Sequence, residues 1–196
     1  TGQVLTVAGV PLQGTASVGL KVVSGPTSPW AQTAPTSTVG DKNAFFHFGR
    51  VPTGQAYATA DVLGSDDRGS TAPFTVPAGT MNVPIVLNGL GYLRVLGQDA
   101  GGNAVNGNLV VDVGSGEFKN HFSRPISGQA DFPDVFAGPA AVSLQARPGD
   151  FLLYGQQSGE VEAGSNVGAP STVTVKLEPA GAISGSVRHS GGAPAT

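Results

Sequence analysis

Hydrophobic and polar residues alternate along this chain with a period of two, which is the pattern of a β-strand with one buried face. In the stretch 16–22 this alternation puts Val18, Leu20 and Val22 on one face, and the stretch 109–113 alternates in the same way. No stretch keeps a helical 3.6-residue period over three turns, because Gly or Pro interrupts almost every window of ten residues. The pattern predicts an all-β chain of short strands and tight turns.

Aromatic residues mark one further strand in the first half of the chain. Alternation puts Phe46 and Phe48 on its inner face and Phe45 on its outer face. An exposed Phe on a strand is typical of a contact with another module or subunit, although a covering loop is an equally good interpretation. We expect Tyr57 to be a core residue.

Three stretches rich in Pro, Gly, Ser and Thr predict surface loops. They cover residues 24–38, 64–70 and 155–170. Proline cannot donate to a β-ladder, and clusters of these residue types are typical of turns and loops.

The pattern recurs at a fixed spacing. Val83–Leu87 and Val173–Leu177 are alternating runs that lie 90 residues apart. Gly91–Val105 is matched at the same spacing by Gly181–Ala195. A fixed period of this kind indicates an array of like modules.

The repeat divides the chain into two β-sandwich modules, residues 1–90 and 91–180. Residues 181–196 then read either as the first strand of a truncated third module or as a strand that pairs with a neighbouring chain. In the second case Ile183 and Val187 would form part of an interface.

One family resemblance follows from the order of motifs in the first module. The chain resembles the carboxypeptidase regulatory-like family, the transthyretin-like or Cna-B-like β-sandwich repeats of bacterial surface proteins. The positions that match are Pro11, Leu12, Gly14, Asp41, Asn43, Phe46, Phe48, Val51, Pro52, Gly54 and Tyr57. The second module keeps Gly107, Phe132, Val135 and Gly138 but has Phe136 in place of Pro52. The resemblance implies tandem Ig-like or transthyretin-like antiparallel sandwiches that act as spacers, stalks or accessory modules and share no catalytic residues.

The resemblance also implies one covalent possibility. Some members cross-link a strand lysine to an Asn or Asp near the last strand. The candidates in the first module are Lys21 and Asn88, but no Glu precedes Glu117 to move the proton. We therefore expect no such bond.

Composition narrows the choice of partners. Charged residues make up 12% of the chain and the net charge is −3, so no basic surface is available for nucleic acid. Lysine is scarce and no apolar run approaches the length of a membrane span, so we expect no membrane insertion. Cysteine is absent, which removes thiolate catalysis and cysteine metal sites. The expected partners are like modules of the same or neighbouring chains, with a cell-surface glycan as the alternative.

Catalytic motifs are missing from the sequence. The three histidines, His47, His121 and His189, have no metal-ligand spacing, and no Gly-x-Ser-x-Gly motif is present. We expect a protein that is not an enzyme and that needs no cofactor.

One acidic cluster is a candidate calcium site. Asp61, Asp66 and Asp67 offer hard oxygen ligands, but Arg68 lies beside them and the full calcium-loop pattern is absent. A solvated turn is the simpler interpretation.

Trp30 is the only tryptophan, and it lies on a Pro/Thr/Ser stretch. An exposed indole can stack on a sugar ring, and Tyr154 could assist it. The alternative is that Trp30 folds over the end of the sandwich.

These observations favour a structural spacer, stalk or filament segment of an extracellular or cell-surface bacterial protein. The alternative is an adhesin-like module that binds carbohydrate or protein through the Trp30 loop.

Overall fold

The computed structural model describes residues 1–39, 42–115, 118–147 and 151–179. Within these ranges the chain forms β-strands and no α-helix, so the all-β prediction is confirmed. No helix in this part of the chain is long and apolar enough to cross a membrane.

The strands fall into two sets that meet at Gly89. The first half contains β1 (Gly2–Leu5), β2 (Ala16–Ser24), β3 (Trp30–Pro35), β4 (Ser37–Val39), β5 (Lys42–Phe46), β6 (Gly54–Val62), β7 (Arg68–Ser70), β8 (Phe74–Val76) and β9 (Val83–Val86). The second half contains β10 (Leu90–Gln98), β11 (Asn106–Ser115), β12 (Phe118–Ser127), β13 (Gln129–Phe136), β14 (Gly138–Ala146), β15 (Leu153–Val161) and β16 (Ser171–Lys176).

Both halves use the same scheme of strand pairing. In the first half one sheet has the order β3-β2-β6-β7, with β8 also paired to β6, and a second sheet has the order β4-β5-β1-β9. In the second half the order is β15-β14-β11-β12-β13-β10-β16, and β12 joins β13 only through Ser127 and Gln129. Neighbouring strands are antiparallel except for β1 with β9 and β10 with β16, which are parallel.

A tight turn follows the first strand of each half with the same hydrogen bonds. Thr6 N–H donates to the Val10 carbonyl oxygen and Gly9 N–H to that of Thr6, each at 2.8 Å. In the second half Asp99 N–H donates to the carbonyl oxygen of Asn103 at 2.9 Å, and Gly102 N–H donates to the carbonyl oxygen of Asp99 at 3.0 Å. The backbone therefore follows the same course in both halves although these turn residues differ.

Each half buries its own apolar cluster. The predicted inward residues Val18, Leu20 and Val22 lie in the first cluster, and Phe46 and Phe48 lie there as predicted. The second cluster contains Leu93, Val95, Leu109, Val111, Val113, Phe132, Val135, Val142, Leu144, Val173, Val175 and Leu177. Burial of these alternating side chains thus stabilises each half.

The prediction of a loop over 24–38 is wrong in part. Residues Trp30–Pro35 form β3, which pairs antiparallel with β2 from Val22↔Trp30 to Ser17↔Pro35. The strand tolerates its flanking prolines because it lies at the edge of the sheet, where half of its backbone groups need no partner strand.

The other two loop predictions are wrong in part. Residues Arg68–Ser70 form β7, and β15 extends through Val161. Both strands are polar and rich in glycine, so a period-two pattern of apolar side chains does not reveal them.

Tyr57 is also not a core residue. In β6 the inward positions belong to Ala56, Ala58 and Ala60, which are 0%, 1% and 0% exposed. Tyr57 therefore lies on the outer face, where the Lys21 ammonium lies 5.9 Å from the centre of its ring.

Candidate functional site

The three acidic residues of the first half do not form one site. Asp61 pairs with Arg68 at 3.1 Å, whereas Asp66 is exposed. Asp67 instead turns toward Gly89. Across the residues that the structure describes, no group of three or more His, Cys, Asp and Glu side chains is placed to hold a metal ion.

Gly89 is bound on both sides of the boundary between the halves. Its N–H donates to the Asp67 carboxylate at 2.9 Å, and its carbonyl oxygen accepts from Ala137 N–H at 3.0 Å. Its φ is +79°, a conformation that favours glycine. A Cβ at this position would lie 2.9 Å from that of Ala163, so a side chain would force one of the two residues to shift.

The residues next to Gly89 are also fixed by backbone hydrogen bonds. Asn88 N–H donates to the Arg68 carbonyl oxygen at 2.7 Å, on the side of the first half. Gly164 N–H donates to the carbonyl oxygen of Leu90 at 2.8 Å, on the side of the second half. We call this group of residues the junction. It consists of Asp67, Asn88, Gly89 and Leu90 with their hydrogen-bond partners Arg68, Ala137 and Gly164.

Burial changes the acidity of the junction carboxylate. It raises the pKa of Asp67, and backbone hydrogen bonds from Gly89 and Arg68 act in the opposite direction. A partly buried carboxylate needs hydrogen-bond donors, and the backbone N–H groups of Gly89 and Arg68 supply them to Asp67.

The far end of the second half has the same backbone arrangement with different side chains. Glu178 N–H donates to the Tyr154 carbonyl oxygen at 2.8 Å, as Asn88 does to Arg68. The next residue is Pro179, where the first half has Gly89, and Leu153 precedes Tyr154 as Asp67 precedes Arg68. Proline has no N–H, so an acceptor such as Asp67 is not needed at this end.

The two aromatic residues of the predicted sugar-binding site lie in different halves. Trp30 is partly buried and packs against the first apolar cluster. Tyr154 lies on β15 of the second half, where its side chain is exposed and its hydroxyl accepts from Gln145 Nε2 at 3.1 Å. The structure therefore does not bring the two rings together as one sugar-binding surface.

The remaining predicted residues are placed as follows. Phe45 lies on β5 opposite Gln3 and is partly buried. Lys21 packs against Tyr57, while Asn88 belongs to the junction. Ile183 and Val187 lie outside the residues that the structure describes.

An apolar cavity of about 310 Å³ lies at the end of the first half away from the junction. Its walls include Phe46 of β5, Phe74 of β8 and Phe48, which follows β5. Arg50 and Ala78, in the loops before β6 and after β8, also line it. The sequence predicted the buried Phe46 and Phe48 but not the cavity, since its walls come from strands and loops far apart in the chain.

No protein-family profile matches the chain, and no curated protein matches it. The fold is similar to solved structures at low identity. A streptococcal ancillary pilin is 12% identical with a TM-score of 0.42, covering 91% of this chain and 62% of the pilin. The C-terminal fragment of the pilus adhesin SpaC from Lactobacillus rhamnosus GG is 12% identical with a TM-score of 0.32, covering 94% of this chain and 98% of the fragment.

The full-length major pilin RrgB from Streptococcus pneumoniae is 11% identical with a TM-score of 0.29, covering 91% of this chain and 48% of RrgB. The chain thus spans less than two thirds of the length of the two pilins. Similarity at these TM-scores establishes neither a shared family nor a shared function.

Proposed function

We propose that the chain is a spacer of two β-sandwich modules, residues 1–90 and 91–180, in a bacterial protein of the cell surface or the extracellular space. Its task is mechanical: it sets the distance and direction between the segments on either side. The repeated strand pairing and the separate apolar clusters support the division into modules.

The junction is the observation that carries the proposal. A flexible linker would let two modules swing freely, and relative motion of domains is the default when their interface is small. Here β9 ends at Val86 and β10 begins at Leu90, so only three residues separate the strands. Gly89 within them is hydrogen-bonded to both halves. A connection of this kind resists bending, as a stalk requires.

The surface location belongs to the proposal. It rests on the resemblance of the motif order to the repeats of bacterial surface proteins, since the similar pilin and pilus-adhesin structures have TM-scores below 0.5. Binding of carbohydrate is not proposed, since Trp30 packs against the core of its own half.

Distance measurements between spin labels test the stiffness directly. The chain has no cysteine, so cysteines introduced at the exposed Gln32 of β3 and Gln157 of β15 take the labels selectively. We expect one narrow distance distribution between the halves. Insertion of four glycines after Gly89 provides the flexible reference. A distribution as broad as that of the insertion variant would overturn the spacer proposal.

A further inference from the structure

The two ends of the first half differ in what covers them. The end at the junction is in contact with the second half. The opposite end contains the apolar cavity of about 310 Å³, bordered by the loop 49–53 and the loop 77–81. We call this end the head, and Phe46, Phe48 and Phe74 are among the residues that line its cavity.

The second half has the same two loops at its own corresponding end. Arg50 and Asp134 precede the matching residues Val51 and Val135, and each has a positive φ, 56° and 53°. β8 and β15 each end at a buried Val, which is followed two residues later by Ala and then by a glycine of positive φ, Gly79 or Gly164. The loops therefore have equivalent backbone positions.

In the second half these loops contact the last residue of the first half. Ala137, in the first loop, donates its N–H to the carbonyl oxygen of Gly89. Ala163, beside Gly164, packs against Gly89. The loops that border the head cavity are thus counterparts of loops whose role in this chain is to receive the end of another β-sandwich.

The far end of the second half offers a complementary surface. Phe151, Leu152 and Tyr154 are 67%, 39% and 57% exposed there. Phe151 and Leu152 belong to the β14–β15 connection, the counterpart of the β6–β7 connection that supplies Asp67 to the junction, and Tyr154 lies at the start of β15. We call these three residues the tail.

We propose that the head cavity of one chain receives Phe151 and Leu152 from the tail of a second copy, so that chains associate head to tail. The contact joins two different surfaces and leaves one free at each end, so it extends into a filament and does not close into a two-fold dimer. This proposal rests on the proposed spacer function and names a partner for it.

Size and chemistry fit this occupant. A volume of about 310 Å³ lies at the lower limit of ordinary ligand pockets, and three aromatic side chains line the cavity. An exposed Phe and an exposed Leu gain by leaving water for such a surface. The contact buries few residues, so we expect weak, concentration-dependent association.

Sedimentation velocity over a concentration series of the full chain tests the contact. We expect Phe151→Asp, at the tail, and Ala78→Asp, at the head, each to weaken association at least tenfold, since each places a charge in the apolar contact. Leu63→Asp is the matched control, because Leu63 is 62% exposed on the corresponding connection of the first half. It should associate as the unaltered chain does.

Mixing the two variants distinguishes a head-to-tail contact from other kinds. The Ala78→Asp chain keeps its tail and the Phe151→Asp chain keeps its head, so the mixture should form dimers and nothing larger. A monomeric unaltered chain at every concentration would overturn the proposal, as would equal weakening by Leu63→Asp or failure of the mixture to form dimers. A narrow spin-label distribution in a chain that stays monomeric would leave the spacer function intact and reject only the head-to-tail contact.

Discussion

At the scale of single residues, the junction depends on the Asp67 carboxylate. Its oxygen is the acceptor for the N–H of Gly89, which is buried. Replacing Asp67 with Ala leaves this donor without its partner, and an unsatisfied buried donor costs about 1–3 kcal/mol. We expect urea denaturation to show a loss of that size for Asp67→Ala. Asp67→Asn keeps an acceptor oxygen and should lose less, and Asp66→Ala should change little because Asp66 is exposed. Equal losses for the Ala variants of Asp66 and Asp67 would show that the hydrogen bond contributes nothing.

The same carboxylate predicts a dependence of stability on pH. Burial raises the pKa of Asp67 above its ordinary value of 3.8, so the folded chain binds this proton more tightly than the unfolded chain does. The resulting stabilisation is complete below pH 3.8 and is lost as the pH rises through the folded pKa.

Denaturation of the unaltered chain and of Asp67→Asn at a series of pH values checks the sign. The free energy of unfolding of the Asn variant, relative to the unaltered chain, should rise as the pH is raised from about 3 toward 7. Because Asp67 is only partly buried, we expect the change to stay below about 1 kcal/mol. If the free energy of unfolding of the Asn variant, relative to the unaltered chain, falls with increasing pH, the backbone hydrogen bonds lower the pKa of Asp67 more than burial raises it.

At the scale of strands, Gly155 shows why β15 is rich in glycine. A Cβ at Gly155 would collide with the carbonyl oxygen of Lys176, where β15 crosses β16. Overpacking of this kind costs about 1–3 kcal/mol, so Gly155→Ala should lower the free energy of unfolding by that amount. Gly14→Ala is the control, since the atom nearest to its Cβ would be the Leu12 Cγ at 4.0 Å. Thermal unfolding with no difference between the two variants would show that the strands can separate without cost.

The strands that could be predicted from the sequence are those whose buried face consists of side chains. β2 and β11 were predicted because Val, Leu and Ala alternate with polar residues along them. β7 and β15 were missed because buried glycines, Gly69 and Gly155, occupy their inner faces, and glycine has no side chain to reveal the alternation. β3 was missed because prolines flank an edge strand whose side chains are mostly exposed.

At the scale of the whole molecule, the junction could be predicted only in outline. The sequence repeat places a boundary near residue 90. Its hydrogen bonds, however, join residues far apart in sequence: Asp67 to Gly89, and Gly89 to Ala137. No local pattern marks such pairs, so Asp67 was interpreted as a possible calcium ligand. The head cavity escaped prediction for the same reason.

The two apolar clusters predict that the halves lose their structure separately. They share no buried residue, and the contact at the junction is small, so unfolding of one half need not unfold the other. Leu109 is 0% exposed in the second cluster, and truncating a buried Leu to Ala costs about 2–5 kcal/mol. Hydrogen exchange followed by mass spectrometry should therefore show faster exchange in peptides from residues 90–179 of Leu109→Ala, with peptides from residues 1–89 unchanged. Val18→Ala should give the reverse, because Val18 is 0% exposed in the first cluster. Faster exchange throughout the chain in either variant would mean that the junction couples the halves into one cooperative unit, whose stiffness then comes from shared folding and not from the junction hydrogen bonds alone.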